Sequence, residues 1–119
     1  GLYRSKNGGN VWTTMTQNHI GPGNAIHQVE FSPNFSNDRL IFVNVHGKGL
    51  YKIKLNNQGN IVQSKNIGTS LLQGNIQFTE FRLSPGFALD TTILGVARDS
   101  TYISNDSGLT WALAGKVEW

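Results

Sequence analysis

The sequence predicts an all-β fold built from repeated four-stranded antiparallel sheets. Two observations carry that prediction: the composition and an internal repeat. Hydrophobic residues make up 38% of the 119 and charged residues 14%, so Asn, Gln, Ser, Thr and Gly must fill a largely neutral surface. Such a composition suits short strands and tight turns. Leu does not recur at helical spacing over any long window, so no long amphipathic helix is expected.

Overlaying the chain on itself reveals the repeat. GLYRS (1–5) returns as GLYKI (49–53) and again as TYIS (101–104), which places Tyr3, Tyr51 and Tyr102 at spacings of 48 and 51. FSPNF (31–35) returns as LSPGF (83–87) after 52 residues, and GNAI (23–26) returns as GNI (74–76). Three landmarks with one period indicate stacked copies of a supersecondary unit.

Each unit reads as four short strands. Ile26–Phe31 (IHQVEF) alternates apolar and polar residues, the strand period. The turn SPNFSND follows, with Pro33 and Asn37 as turn formers. Residues 39–45 (RLIFVNV) are β-branched and aromatic, as expected of a strand buried on both faces. Residues 49–54 form the third strand, NNQGN a hairpin turn, and 61–64 the fourth. The second unit repeats this at 77–83, 91–97, 101–104 and 109–114. Residues 2–5 and 10–14 supply only the last two strands of another unit. The chain therefore divides into a half unit (1–16) and two whole units (24–66 and 75–116) of a single segment, 1–119.

Four antiparallel strands in about 50 residues is the blade of a β-propeller. Propellers close with about four to eight blades. About 2.5 are expected here, so the partial propeller must be completed by oligomerisation or by a longer parent chain; packing against unlike partner chains is a third route. Left open, a stack of blades exposes an apolar face at each end.

One motif recurs in the third hairpin of each unit. SNDSGLTW (104–111) carries Ser104, Asp106, Gly108, Thr110 and Trp111 in the pattern Ser-x-Asp-x-Gly-x-Thr-Trp. A second copy has Ser5, Asn7, Gly9, Val11 and Trp12, with Asn for Asp and Val for Thr. In the middle copy Ile53 stands where Ser belongs, and NNQGNIV is two residues longer before Val62, which takes the Trp place. The pattern resembles the Asp-box, or BNR repeat, of sialidase-type β-propellers, and the phrases SPNFSNDRLIFV and SPGFALDTTILGVA resemble the strand before the box in bacterial members; the resemblance covers nearly the whole chain. It implies that the boxes are structural, lying at the rim away from the central face. Asp and Ser would tie backbone groups of the turn, Gly would supply positive φ, and Trp12 and Trp111 would fill the space between neighbouring sheets. A cation at Asp106 would need several oxygen ligands, and only Asn105 and Ser107 stand close by.

No catalytic residue is predicted. Sialidase chemistry needs an arginine cluster, a Tyr nucleophile with a Glu partner, and an acid/base Asp. Arg4, Arg39, Arg82 and Arg98 are scattered, and the three tyrosines recur as packing positions. Glu30 and Glu80 fall at related strand positions, and Asp38 and Asp90 form a repeat pair expected to cap the turns after SPNF and SPGF. His19, His27 and His46 lack ligand spacing, Cys is absent, and neither metal nor cofactor is expected. The loops TQNHIGPGN and KNIGTSLLQGN join successive units, where propellers often bind ligands. Asn18, His19 and Gln73 are the candidate ligand contacts.

The net charge of +3 is mild, and only Lys48, Lys52 and Lys54 cluster, with Lys52 and Lys54 expected on one solvated face. Nucleic-acid and membrane partners are not expected. The compartment stays open, with an extracellular or periplasmic site fitting somewhat better. The function expected is a non-catalytic binding or scaffold module, carbohydrate-binding or oligomer-forming by the resemblance. The alternatives are a piece of an Asp-box glycoside hydrolase whose catalytic residues lie elsewhere, or a propeller assembly factor such as those of photosystems.

Overall fold

The computed structural model describes residues 1–17, 20–68, 77–97 and 100–116. Within them the chain is all-β, with ten strands in three antiparallel sheets and two single helical turns. A two-stranded hairpin comes first, β1 (Leu2–Ser5) with β2 (Trp12–Met15). A four-stranded meander follows: β3 (Ile26–Phe31), β4 (Leu40–Val45), β5 (Gly49–Leu55) and β6 (Ile61–Asn66). A second meander holds β7 (Glu80–Leu83), β8 (Ile93–Ala97), β9 (Ser100–Ser104) and β10 (Ala112–Lys116). No helix among the described residues is long and apolar enough to cross a membrane.

Strand alternation decides which residues meet between sheets. On β4 and β5, Ile41, Val43, Val45, Tyr51, Ile53 and Leu55 face the hairpin and join Leu2 and Met15 in one core cluster. Phe42 and Leu50 face the other way, packing with Phe78, Phe81, Phe87, Ile93, Ala97 and Tyr102 of the second meander. The first meander is thus the middle layer, which is why β4 is buried along almost its whole length.

Between β3 and β4, and again between β7 and β8, SPNFSND and SPGFALD form one helical turn each, α1 (Phe35–Asp38) and α2 (Phe87–Asp90). Both are tied alike. Ser32 Oγ donates to Asp38 Oδ2 at 2.6 Å while Leu40 N–H donates to Asp38 Oδ1 at 3.0 Å. Ser84 Oγ donates to Asp90 Oδ2 at 2.7 Å while Thr92 N–H donates to Asp90 Oδ1 at 3.0 Å. The residue after each Asp is left-handed, Arg39 at φ 54° and Thr91 at φ 49°. That conformation cannot belong to a strand, so β4 and β8 start later than the 39 and 91 expected from side-chain pattern alone.

The free edges of β3 and β7 lie beside each other without pairing, and amide side chains join them. Phe81 N–H donates to Gln28 Oε1 at 3.1 Å and Gln28 Nε2 donates to Phe81 O at 2.7 Å, imitating a strand ladder. Asn44, fully buried on β4, donates to Phe78 O at 2.6 Å and accepts from Gln77 Nε2 at 2.8 Å.

The two meanders solve one volume problem differently. Val43 on β4 corresponds to Gly95 on β8, and Ile26 corresponds to Phe78. A Cβ at Gly95 would come within 2.4 Å of the Phe78 ring, so the larger residue at one place requires the smaller at the other. Gly95→Val should therefore destabilise by about 1–3 kcal/mol through overpacking. Combining it with Phe78→Ile should cost less than the two single changes added together, a coupling read from denaturant unfolding of all four chains.

Candidate functional site

The three hairpin turns carry the most distinctive chemistry of the sequence. In the last, Ser104 Oγ donates to Asp106 Oδ1 at 2.8 Å and accepts from Gly108 N–H at 2.8 Å. Asp106 Oδ1 also accepts from Thr110 N–H at 2.9 Å, and Oδ2 accepts from Thr110 Oγ1. Gly108 sits at φ 89°. The first turn repeats this with Asn: Ser5 Oγ accepts from Gly9 N–H at 2.8 Å, Asn7 Oδ1 accepts from Val11 N–H at 2.9 Å, and Gly9 lies at φ 96°. Each turn clasps through to the residue before Trp, so β2 and β10 begin at Trp12 and Ala112 rather than at the expected 10 and 109.

Sequence reasoning missed that the middle turn keeps the Asx half of the clasp without the Ser half. Asn56 Oδ1 accepts from Gln58 N–H at 3.0 Å and from Asn60 N–H at 2.9 Å, with Gly59 at φ 82°. The clasp has slid one place along the chain, and the register between β5 and β6 shifts at Lys54/Leu55 to absorb it. The spacing of Asn56, Gly59 and Asn60 was the available signal.

The turns differ in what they pack against. Trp111 Nε1 donates to Ile67 O at 2.7 Å, and its ring lies 5.1 Å from that of Phe78. A Cβ on Gly108 would come within 2.5 Å of Ile67 Cδ1. This turn is thus seated in the joint between the two meanders. Trp12, expected between sheets too, is 60% exposed and turns its Nε1 back to Gly9 O at 3.1 Å. The residues that cover Trp111 come from β6's exit and β7's entry, and the hairpin has no counterpart of either.

Electrostatics oppose a cation at Asp106. Its oxygens already accept from Ser104 and Thr110, and Lys52 Nζ donates to the neighbouring Ser107 Oγ at 2.8 Å. Lys52 and Lys54 share a face as expected, but that face is half-buried rather than solvated. Burial lowers the Lys52 pKa, and Lys54 Nζ donates to Asp38 O. Among the described residues no group of three or more His, Asp or Glu could hold a metal. The rings of His27 and His46 lie 4.7 Å apart at one end of the first meander.

Two further places gather polar or aromatic groups. At the β3–β7 edge, Arg82 and Glu80 form an exposed ion pair at 2.9 Å, and burial raises the pKa of Glu30 beside them. Between the hairpin and the first meander lies a cleft of about 500 Å³ lined by Tyr3, Arg4, Trp12, Phe31, Phe35 and Arg39, among others. The candidate ligand contacts Asn18, His19 and Gln73 lie outside the described residues. The chain matches no protein-family profile, no curated protein sequence and no solved structure.

The hydrogen bonds to Asp106 lower its pKa from 3.8 to about 2, those from Thr110 contributing most. The folded state therefore holds this proton less tightly than the unfolded chain. The stabilisation is complete above pH 3.8 and disappears as pH falls through about 2. Asp106→Asn should be less stable than the parent at pH 7, with the gap closing as urea unfolding is repeated toward pH 2. The two tryptophans should also separate. Trp111→Ala should cost about 3 kcal/mol, whereas Trp12→Ala should cost under about 1 kcal/mol, both by chemical denaturation.

Proposed function

We propose that this chain is a segment of an Asp-box β-propeller acting as a non-catalytic binding or scaffold module. The observation supporting the reading is that one unit, a four-stranded meander with an SPxF turn after its first strand and an Asx-clasped turn before its last, is built twice and stacked face to face. Its third appearance, in the hairpin, keeps only the final two strands and the clasped turn. Stacked repeats of this kind need further sheets at both ends, from copies of the chain or from further blades.

As a scaffold the module would present the loops between blades, with Asn18, His19 and Gln73 as contact residues and carbohydrate as the favoured ligand class. The polar edge at Glu30, Glu80 and Arg82 would then line the central side, because β3 and β7 are the first strands of their blades.

Two measurements test this. Sedimentation should give a discrete species at two or three times 13.1 kDa where copies close a ring; a monodisperse monomer that neither exposes apolar surface to dye nor aggregates would count against the stacked reading. A glycan array should give hits that weaken in His19→Ala and Gln73→Ala; an empty array removes carbohydrate, and hydrolysis of a sialoside by this chain would overturn the non-catalytic assignment.

A further inference from the structure

The cleft between the hairpin and the first meander has a built-in control, because the joint between the two meanders is the same joint with all its strands. There, Phe81 and Leu83 of β7 lie against the first meander, and Phe81 is 1% exposed. Their counterparts on β3, Val29 and Phe31, are 37% and 61% exposed, and both line the cleft. Phe87 of α2 meets the Phe42 ring edge-on at 5.4 Å. Its counterpart Phe35 has no such ring across the joint among the described residues; it meets Phe31 of its own meander edge-on at 4.8 Å, with the Arg39 guanidinium over its ring. In both meanders the third strand pairs on both edges, β5 with β4 and β6, β9 with β8 and β10. Among the described residues β1, at the third-strand position, pairs with β2 alone. An isolated hairpin is marginal by itself.

From this we infer that the cleft is the docking site of one antiparallel strand pair, whose second strand adds to the free edge of β1 and whose outer face covers Val29, Phe31 and Phe35. The inference rests on the stacked reading above and adds the occupant's chemistry. The interface it continues is that between the meanders, so the occupant must present what β3 and β4 present to β7 and α2. It carries a large apolar side chain at the Phe42 position, aimed at Phe35. It also carries amides at the Gln28 and Asn44 positions, aimed at the β3 backbone around Val29 and Ile26. A second copy of this chain does not fit that description, because its strand pairs β3–β4 and β7–β8 are already committed within their own sheets. Backbone pairing along an exposed edge would give the affinity and the alternate side chains the specificity.

The chain itself provides the probe. Gly1, Leu2 and Tyr3 repeat Gly49, Leu50 and Tyr51, so a copy of residues 24–48 joined ahead of Gly1 enters β1 in register. The fused chain should melt at least about 5 °C higher than the parent. Exchange of the β1 amides should slow at least tenfold. A fusion whose copy has Asp at the Phe42 and Asn44 positions should lose most of these gains. The pair Val29→Thr and Phe31→Thr should leave the parent melting point nearly unchanged, yet lower that of the fusion. A fusion that is insoluble, or that melts with the parent and leaves β1 exchanging as before, overturns the inference. So does a parent chain that is dimeric and becomes monomeric on Phe31→Glu, since a second copy would then fill the cleft. In that last case the stacked reading survives, whereas a monodisperse parent monomer with no exposed apolar surface removes both.

Discussion

The arrangement depends on two strand edges that lie side by side without pairing. β3 and β7 begin their sheets, and among the described residues each leaves a row of backbone donors and acceptors unpaired by a neighbouring strand. Gln28 answers part of that need by giving its amide to both the N–H and the carbonyl of Phe81. Asn44 does the same work one strand further in, at a position with no exposure to water. A buried amide without partners is costly, so these side chains are useful only when the second sheet is in place. The apolar faces could slide across one another; the amides cannot. They set the register in which Phe42 meets Phe87.

With the inner edge held by amides, the outer end of the joint is held by the last hairpin turn. Ser104 and Asp106 tie the turn internally, which lets Gly108 lie on Ile67 and lets Trp111 reach the Ile67 carbonyl. The first turn has nearly the same hydrogen bonds and none of this burial. The clasp is therefore a local property of the turn, and seating Trp between sheets is a separate property that needs a neighbour. Asn in place of Asp at position 7 fits that division, since the clasp to the backbone uses only one side-chain oxygen.

Much of this was legible in the sequence because repetition supplies its own alignment. The period located ten strands, and five of them agree with expectation to within a residue at both ends, among them Ile26–Phe31 and Leu2–Ser5. Errors gathered where side-chain pattern and backbone conformation part company. Arg39 and Thr91 look like strand residues but are left-handed because the preceding Asp closes a turn on them. Lys52 and Lys54 look like a solvated face, but Lys52 reaches the next sheet's turn at Ser107 and Lys54 the SPNF turn of its own sheet at Asp38, which no local pattern announces. The middle clasp at Asn56 escaped because it moved by one residue, and a fixed spacing cannot follow a shift that a bulge absorbs. Of the candidate site, the turns were legible and the cleft was not: it lies where a two-stranded sheet meets a four-stranded one, and periodicity reports strands rather than the gaps between sheets.

The repeats also differ in ways that assign them an order. The first meander offers the second Gln28, Phe42 and Asn44; at the same positions the second meander has Glu80, Leu94 and Val96. Glu80 is engaged with Arg82, and Leu94 is exposed at 41%. A sheet that docked on that far face would find apolar contact but no amides to register it, and a carboxylate where the glutamine stood. The face of the hairpin that Tyr3 and Trp12 occupy presents aromatic surface and the clasped turn instead. The two ends of the stack are thus chemically unlike each other and unlike the internal joint. Identical sheets could stack in any sequence and any number. These three could not, so the amide pattern works as a specificity device as much as a stabilising one, restricting which face may follow which.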